Sequence, residues 1–597
     1  MEIFLFFFIS SVILVFSGRF FLKIFYAKSD KSEFSLSEQG IFGLIFLSFL
    51  SLFLNFFFKL DQNISSLVLI LPIIQFIFEF KKLNIIFFKK FLKHTILITL
   101  FCVLFISFDN VFRPDAGIYH LPYVKILNDF KIFTGVVSLN PVFGATSILQ
   151  YVSAIFNNLI FKDVGITIPL AILTIYLIEY FVSQFFKKND DVFYKFFLFI
   201  VTTYIFLEMN RYSEYGNDNP AHLFLFYFLT LIFRKDFKIN NSNNFKILTL
   251  VSLFVFLNKV FFVFILFIPV LLWFKNRYYK SIKFFPVFSI SFFFLWILKN
   301  IFISGCAIYP VSFTCNNNLS WYSDNSNFII SAKNLSQFSE LHAKNWSDIV
   351  DNKKFVNYEN NIEEKKHFLK NFNWLFSDNI SNNAKFGFFK IFNNYIFLLF
   401  ILTTILLLTK KKIKGKISKR LNFEKKLIFI ISIISCVVAL YKFPLGRYAS
   451  SYYVILMFFS LYLLLKSRMI LFNQKKTLRV FSMIILLTGS IFIIKNLNRI
   501  ATNISADYYQ APWPRIYENK DEIKNLDQTY NRPQTFNFEF KENVLKIYYI
   551  NKFNYWTSDR SIKCLYNSSP CAQTGDNFKQ FKVVKTPLNY YKLKLNK

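Results

Sequence analysis

The chain has 597 residues, 54% of them hydrophobic and 86 of them Phe, and a mean hydropathy of +0.39, which excludes an ordinary soluble globular protein and makes a membrane protein the reading. Lys and Arg total 70 against 35 Asp and Glu, a formal charge of +35. The basic residues gather between apolar runs, as the positive-inside rule expects, so the charge is read as topology and nucleic acid is not expected as a partner.

A membrane-spanning helix needs about 20 mostly apolar residues, and about fourteen such segments follow one another. They lie near 2–17, 40–58, 64–80, 94–108, 165–184, 193–209, 217–233, 245–258, 260–274, 284–300, 390–409, 426–441, 449–465 and 479–494. The stretch 148–160 reads as a partial or re-entrant segment. Glu2 precedes the first apolar run and Arg19 and Lys23 follow it, unlike the basic start of a cleavable signal, so a retained first span with its N-terminus outside is expected. Alternation from there puts Lys28 and Lys31, Lys81 to Lys90, Lys187 and Lys188, Arg234 and Lys235, Lys275 to Lys283, 410–420 and Lys466 to Lys476 on the cytoplasmic side.

Three large pieces then face outside: 109–163, 301–389 and the tail 495–597. The expected organisation is a transmembrane domain over 1–494 and a small extracytoplasmic domain over 495–597. Four cysteines, Cys306, Cys315, Cys564 and Cys571, fall in the outside pieces, whereas Cys102 and Cys436 fall within apolar segments. Outside cysteines suit an oxidising compartment, and the short separations favour Cys306–Cys315 and Cys564–Cys571 among the three possible pairings. In the 301–389 loop, Ile362 to Phe376 interleaves Lys and Glu with Phe, Leu and Trp as an interfacial helix does. In the tail, alternation over 536–540 and 544–550 reads as short strands.

The first outside loop carries Arg113-Pro114-Asp115-Ala116-Gly117-Ile118-Tyr119-His120-Leu121-Pro122. With Pro114 in a first helical turn, Asp115, Tyr119 and Pro122 share one helix face. Asp115 then serves either as a chemical group or as a first-turn acid. A second polar cluster, Arg211 to His222, links the sixth and seventh segments. Asp218 or Asn219 is expected to cap the following span, while Arg211 and Glu214 are read either as functional groups or as an internal ion pair. A third, Lys442 to Tyr448, contains Pro444 and Arg447, with the Arg read as a phosphate-binding cation or a headgroup anchor. Of the five His, His120 and His222 lie in these clusters. No metal-type spacing, Walker loop or dinucleotide-binding Gly pattern stands out, and a carboxylate-bound divalent cation stays open.

Asp115-Ala116-Gly117-Ile118-Tyr119-His120-Leu121-Pro122, Arg211 to Asp218, Ser304 to Pro310 with Cys315, and the tail cysteines together resemble, in order, motifs of a bacterial family of polytopic glycosyltransferases in the GT-C superfamily. The resemblance implies an all-α transmembrane bundle of the GT-C type in the inner membrane, its active site facing the periplasm, with a small mixed domain after it. It also implies an inverting transfer of a sugar from a polyprenyl-phosphate donor to a glycan, lipid or protein acceptor, with Asp115 as base. On that reading His120, Arg211 and Glu214 join the catalytic set, and Tyr119, Asp218, His222 and Arg447 bind substrate. Trp321, Trp346 and Trp374 would offer stacking or anchoring surfaces. The alternatives are a ligase or polymerase acting on an undecaprenyl-linked glycan, and a lipid or glycan transporter.

Overall fold

The computed structural model describes residues 2–26, 34–80, 85–105, 119–138, 140–187, 191–209, 216, 218–316, 318–319, 321–322, 340, 411–412, 422–443, 446–467, 470–471, 474–504, 533–541, 544–553, 581–586 and 590–595. The apolar runs become helices: α1 (Glu2–Phe25), α2 (Leu36–Asn55), α3 (Gln62–Phe80) and α4 (Ile85–Phe105). Two short helices follow, α5 (Leu121–Asp129) and α6 (Leu149–Phe156). Long helices then resume as α7 (Ile168–Phe186), α8 (Val192–Glu208), α9 (Asp218–Phe233) and α10 (Ser242–Asn258). After the short α11 (Phe267–Lys275) come α12 (Val287–Ser304), α13 (Phe423–Lys442), α14 (Gly446–Ser467) and α15 (Gln474–Ile504).

Local signals set several boundaries. Ser35 and Glu38 form a reciprocal capping box at the start of α2, and Asp191 and Asn241 cap α8 and α10 by accepting from backbone N–H groups of their first turns. Gly305 closes α12 in the left-handed region at φ 80°, where a side chain is disfavoured. The α1–α2 contact also depends on missing side chains. A Cβ on Gly18 would stand 1.7 Å from the Gln39 carbonyl oxygen, and one on Gly43 2.0 Å from that of Leu14, so the two backbones touch as small-residue helix interfaces allow.

Glu2–Phe25, Leu36–Asn55, Val164–Phe186, Val287–Ser304 and Leu478–Ala501 are long and apolar enough to cross a bilayer, and Gln62–Phe78, Val260–Lys275 and Tyr448–Leu463 are shorter apolar helices. The chain is thus a helical membrane protein. Every expected segment falls on a helix except 390–409, which lies outside the described residues, as does the expected interfacial helix at 362–376. The partial segment at 148–160 takes the form of buried α6. Helix α15 runs ten residues past the expected boundary at 494.

The tail contributes four antiparallel strands in the order β1 (Pro533–Lys541), β2 (Val544–Phe553), β3 (Phe581–Lys585) and β4 (Tyr591–Leu595). The two strands expected from alternation are β1 and β2, paired with Phe538 opposite Ile547. The last strand reaches back to the helices. Lys592 bridges to Thr134, its ammonium lies 4.9 Å from the Trp321 ring, and the Tyr590 hydroxyl donates to the Phe56 carbonyl at 2.5 Å.

Candidate functional site

Polar side chains from α5, α6, α9, α10 and α14 meet at the end of the bundle where α9 starts and α10 stops. Tyr119 and His120 form a π-helical turn that leads directly into α5, and Pro122 occupies the first turn of α5, where no N–H is needed. Tyr119 is thus on the helical turn that runs into α5, three residues before Pro122; Pro114 and Asp115 lie outside the described residues.

His120 is 2% exposed and its Nδ1 faces Gln150 Nε2 at 3.0 Å. The Gln150 amide is oriented because its Oε1 accepts the Ser147 backbone N–H at 3.0 Å. Its NH2 therefore donates to Nδ1, which assigns the neutral imidazole proton to Nε2. That Nε2 points at the second motif, lying 3.9 Å from where a Cβ on Gly216 would be. Ser147 in turn donates to Asn258 Oδ1 at 2.6 Å, and the Ile148 N–H to the Leu257 carbonyl, which fasten this loop to the last turn of α10.

One residue further, Lys259 makes a close ion pair with Asp218 in the first turn of α9 and lies 3.8 Å from the Tyr448 ring centroid. Both charges are largely withdrawn from solvent, so their attraction is less screened than that of a surface pair. The cation-π contact adds Tyr448, on the first turn of α14, to the same group. Lys259 was not singled out in the sequence because a lone Lys after an apolar run looks the same as a headgroup anchor. The one-residue gap between the segments 245–258 and 260–274 was the available signal.

His222 is held differently from a ligand-facing group. It is buried on α9, its Nδ1 lies 2.7 Å from Ser451 Oγ and its Nε2 3.2 Å from Ser450 Oγ, with its ring edge-on to Phe262. With both ring nitrogens bonded to α14, His222 fixes the start of α14 against α9. Lys442, closing α13 at this end, pairs with Glu340 at 2.9 Å.

The structure therefore brings together Tyr119, His120, Asp218 and His222. Asp115, Arg211 and Glu214 lie outside the described residues, and Arg447 is on the first turn of α14 with its side chain outside them. Cys306 and Cys315 form a disulfide beside the end of α12, while Cys564, Cys571, Trp346 and Trp374 lie outside the described residues. Trp321 donates its indole N–H to the Ile301 carbonyl at 2.9 Å, bracing that loop. The wall between the disulfide loop and α5 is phenolic. Tyr309 sits on Gly144, where a Cβ would be 2.3 Å from its ring, and Tyr123 and Tyr151 share a 3.2 Å hydrogen bond. Burial pushes the Tyr123 and Tyr309 phenols above their usual range, so they stay neutral. Among the described residues no group of three or more His, Cys, Asp or Glu could hold a metal ion.

Residues 1–454 match a family described as a domain of unknown function (DUF8201). No curated protein and no solved structure matches the chain.

Proposed function

The chain belongs to the DUF8201 family, and from that premise we propose that it is an integral membrane glycosyltransferase, transferring a sugar from a polyprenyl-phosphate donor to an acceptor outside the cytoplasmic membrane. The observation that supports this reading is the meeting of two polar motifs about a hundred residues apart in the chain, with His120 Nε2 turned to Gly216 and Asp218 paired to Lys259 in one cluster. A bundle of about fourteen spans, with this end facing the periplasm, is part of the proposal.

Asp115 stands five residues before the anchored His120 and is the general base of the reading. Its carboxylate takes the proton of an acceptor hydroxyl as that oxygen attacks the anomeric carbon. The bond from the anomeric carbon to the phosphate oxygen breaks, the electron pair leaves with the phosphate, and the sugar passes through an oxocarbenium-like state with inversion. Arg211, Arg447 and Lys259 balance the charge gathering on the leaving phosphate. Tyr119 and His120 orient the reacting groups, Glu214 holds Arg211, and Asp218 holds Lys259. His222 acts by positioning α14 rather than by touching substrate.

The test is transfer of radiolabelled sugar from a panel of polyprenyl-phosphate sugars to membrane extract, comparing wild type with Asp115→Asn at equal folded amounts. Transfer by wild type that falls at least a hundredfold in the variant is expected. Equal transfer by both moves the base elsewhere, and no transfer from any donor overturns the reading.

A further inference from the structure

At the other end of the bundle the chain builds a second, unrelated surface. Tyr278 stacks on Phe284 at 4.1 Å and packs against Phe245 in the first turn of α10. Lys259 lies beyond the last turn of that helix, and 17 helical residues span about 25 Å, so this loop and the site described above are separated by the depth of the bundle. The loop is firmly folded: the Tyr278 hydroxyl donates to Asn240 Oδ1 at 2.9 Å and accepts from Asn276 Nδ2 at 3.0 Å.

On this support the loop shows two kinds of side chain outward. Arg277, Lys280 and Lys283 are exposed, and among the described residues none of them has an acidic partner; the chain has no Asp or Glu between Asp236 and Asp324. Lys275 differs, being paired with Glu424 at 3.1 Å. Tyr279 and Ile282 stand between the cations and Phe285 just after them, all exposed, with Ile282 at 89%. A large aliphatic side chain so fully uncovered, flanked by cations that pair with no acid among the described residues and set between apolar helices α11 and α12, matches the boundary between hydrocarbon and headgroups.

We propose that residues 274–287 form a binding site for an anionic glycerophospholipid, with Arg277, Lys280 and Lys283 holding its phosphate headgroup and Ile282 and Phe285 set among its acyl chains. The occupant follows from complementarity: a zwitterionic headgroup leaves three cations uncompensated, whereas an acidic one neutralises them, and each such contact is worth roughly fivefold in affinity. The proposal stands independently of the reaction at the opposite end.

Native mass spectrometry of the full chain in detergent, with added phosphatidylglycerol or phosphatidylcholine, tests it. Wild type is expected to retain phosphatidylglycerol selectively, and the combined Arg277→Gln, Lys280→Gln, Lys283→Gln variant to lose about a hundredfold of that affinity with an unchanged melting temperature in phosphatidylcholine. Ile282→Ser is expected to weaken retention severalfold without removing selectivity. If the triple variant fails to fold, Lys280→Gln and Lys283→Gln taken singly are each expected to lose about fivefold. Retention of phosphatidylglycerol by the folded variants at the wild-type level, or equal retention of both lipids by wild type, overturns the proposal.

Discussion

Replacing Arg234 with Met breaks the most deeply buried ion pair among the described residues; the second acid at Arg234, Asp236, lies 3.2 Å from Nε but is 57% exposed and keeps Lys187 at 3.3 Å, so its loss adds little. Arg234 and Glu38 are 5% and 1% exposed, and the Arg Nη1 lies 3.0 Å from Glu38 Oε1 and 3.3 Å from the Tyr180 hydroxyl. With charge centres about 4 Å apart and an effective dielectric near 20, their attraction is about 4 kcal/mol, which vanishes when the guanidinium is removed. Glu38 keeps two other donors, the Ser35 N–H at 2.8 Å and the Tyr227 hydroxyl at 3.3 Å, so the stranded carboxylate is not left bare. The expected loss is therefore about 3 kcal/mol, at the lower end of what breaking a buried pair costs. Adding Glu38→Gln removes the charge; its amide oxygen can accept the Ser35 N–H while its NH2 donates to the Tyr227 hydroxyl, which turns to accept, and about 2 kcal/mol is expected to return. Equilibrium unfolding in mixed detergent micelles, run as a double-mutant cycle, measures both steps. A single variant within 1 kcal/mol of wild type, or a double variant no better than the single, would refute the argument that the pair is held by mutual neutralisation.

Gly43→Leu drives a side chain into the Leu14 carbonyl and is expected to separate α1 from α2, read as loss of a monodisperse species after solubilisation. Gln150→Leu leaves the Ser147 N–H buried without its acceptor and removes the donor to His120, with an expected cost of about 1–3 kcal/mol in the same unfolding assay. Lys259→Met strips Asp218 of its counter-charge and is expected to cut sugar transfer tenfold or more, while Lys259→Arg keeps most of it; the ratio of their rates is the measurement. Cys306→Ser opens the loop that Cys315 closes nine positions along the chain and is expected to lower stability by about 2–3 kcal/mol, measured against wild type with and without reductant.

The helices were legible in the sequence because a bilayer demands a local property, about 20 apolar residues in a row, that one window of the chain either has or lacks. What escaped was set by partners distant in the chain. The Gln150 side chain reads as an ordinary amide until a His 30 residues earlier is folded against it, and Ser450 and Ser451 read as small helix residues until His222 arrives 228 and 229 residues away. Polar motifs at helix ends reveal that something gathers at that end. They do not tell whether a His in them reaches a ligand or, as with His222, spends both nitrogens on a neighbouring helix.

The contact between Tyr590 and Phe56 spans 534 residues of sequence. A ribosome adding up to about 20 residues per second needs about half a minute to make that much chain, so Phe56 waits that long for its partner. During synthesis the helices around Phe56 and Thr134 must therefore hold their arrangement by their own packing, and β4 is fitted to a surface already formed. Variants that weaken only this late contact are expected to insert and assemble normally and to fail afterwards, in the lifetime of the finished protein.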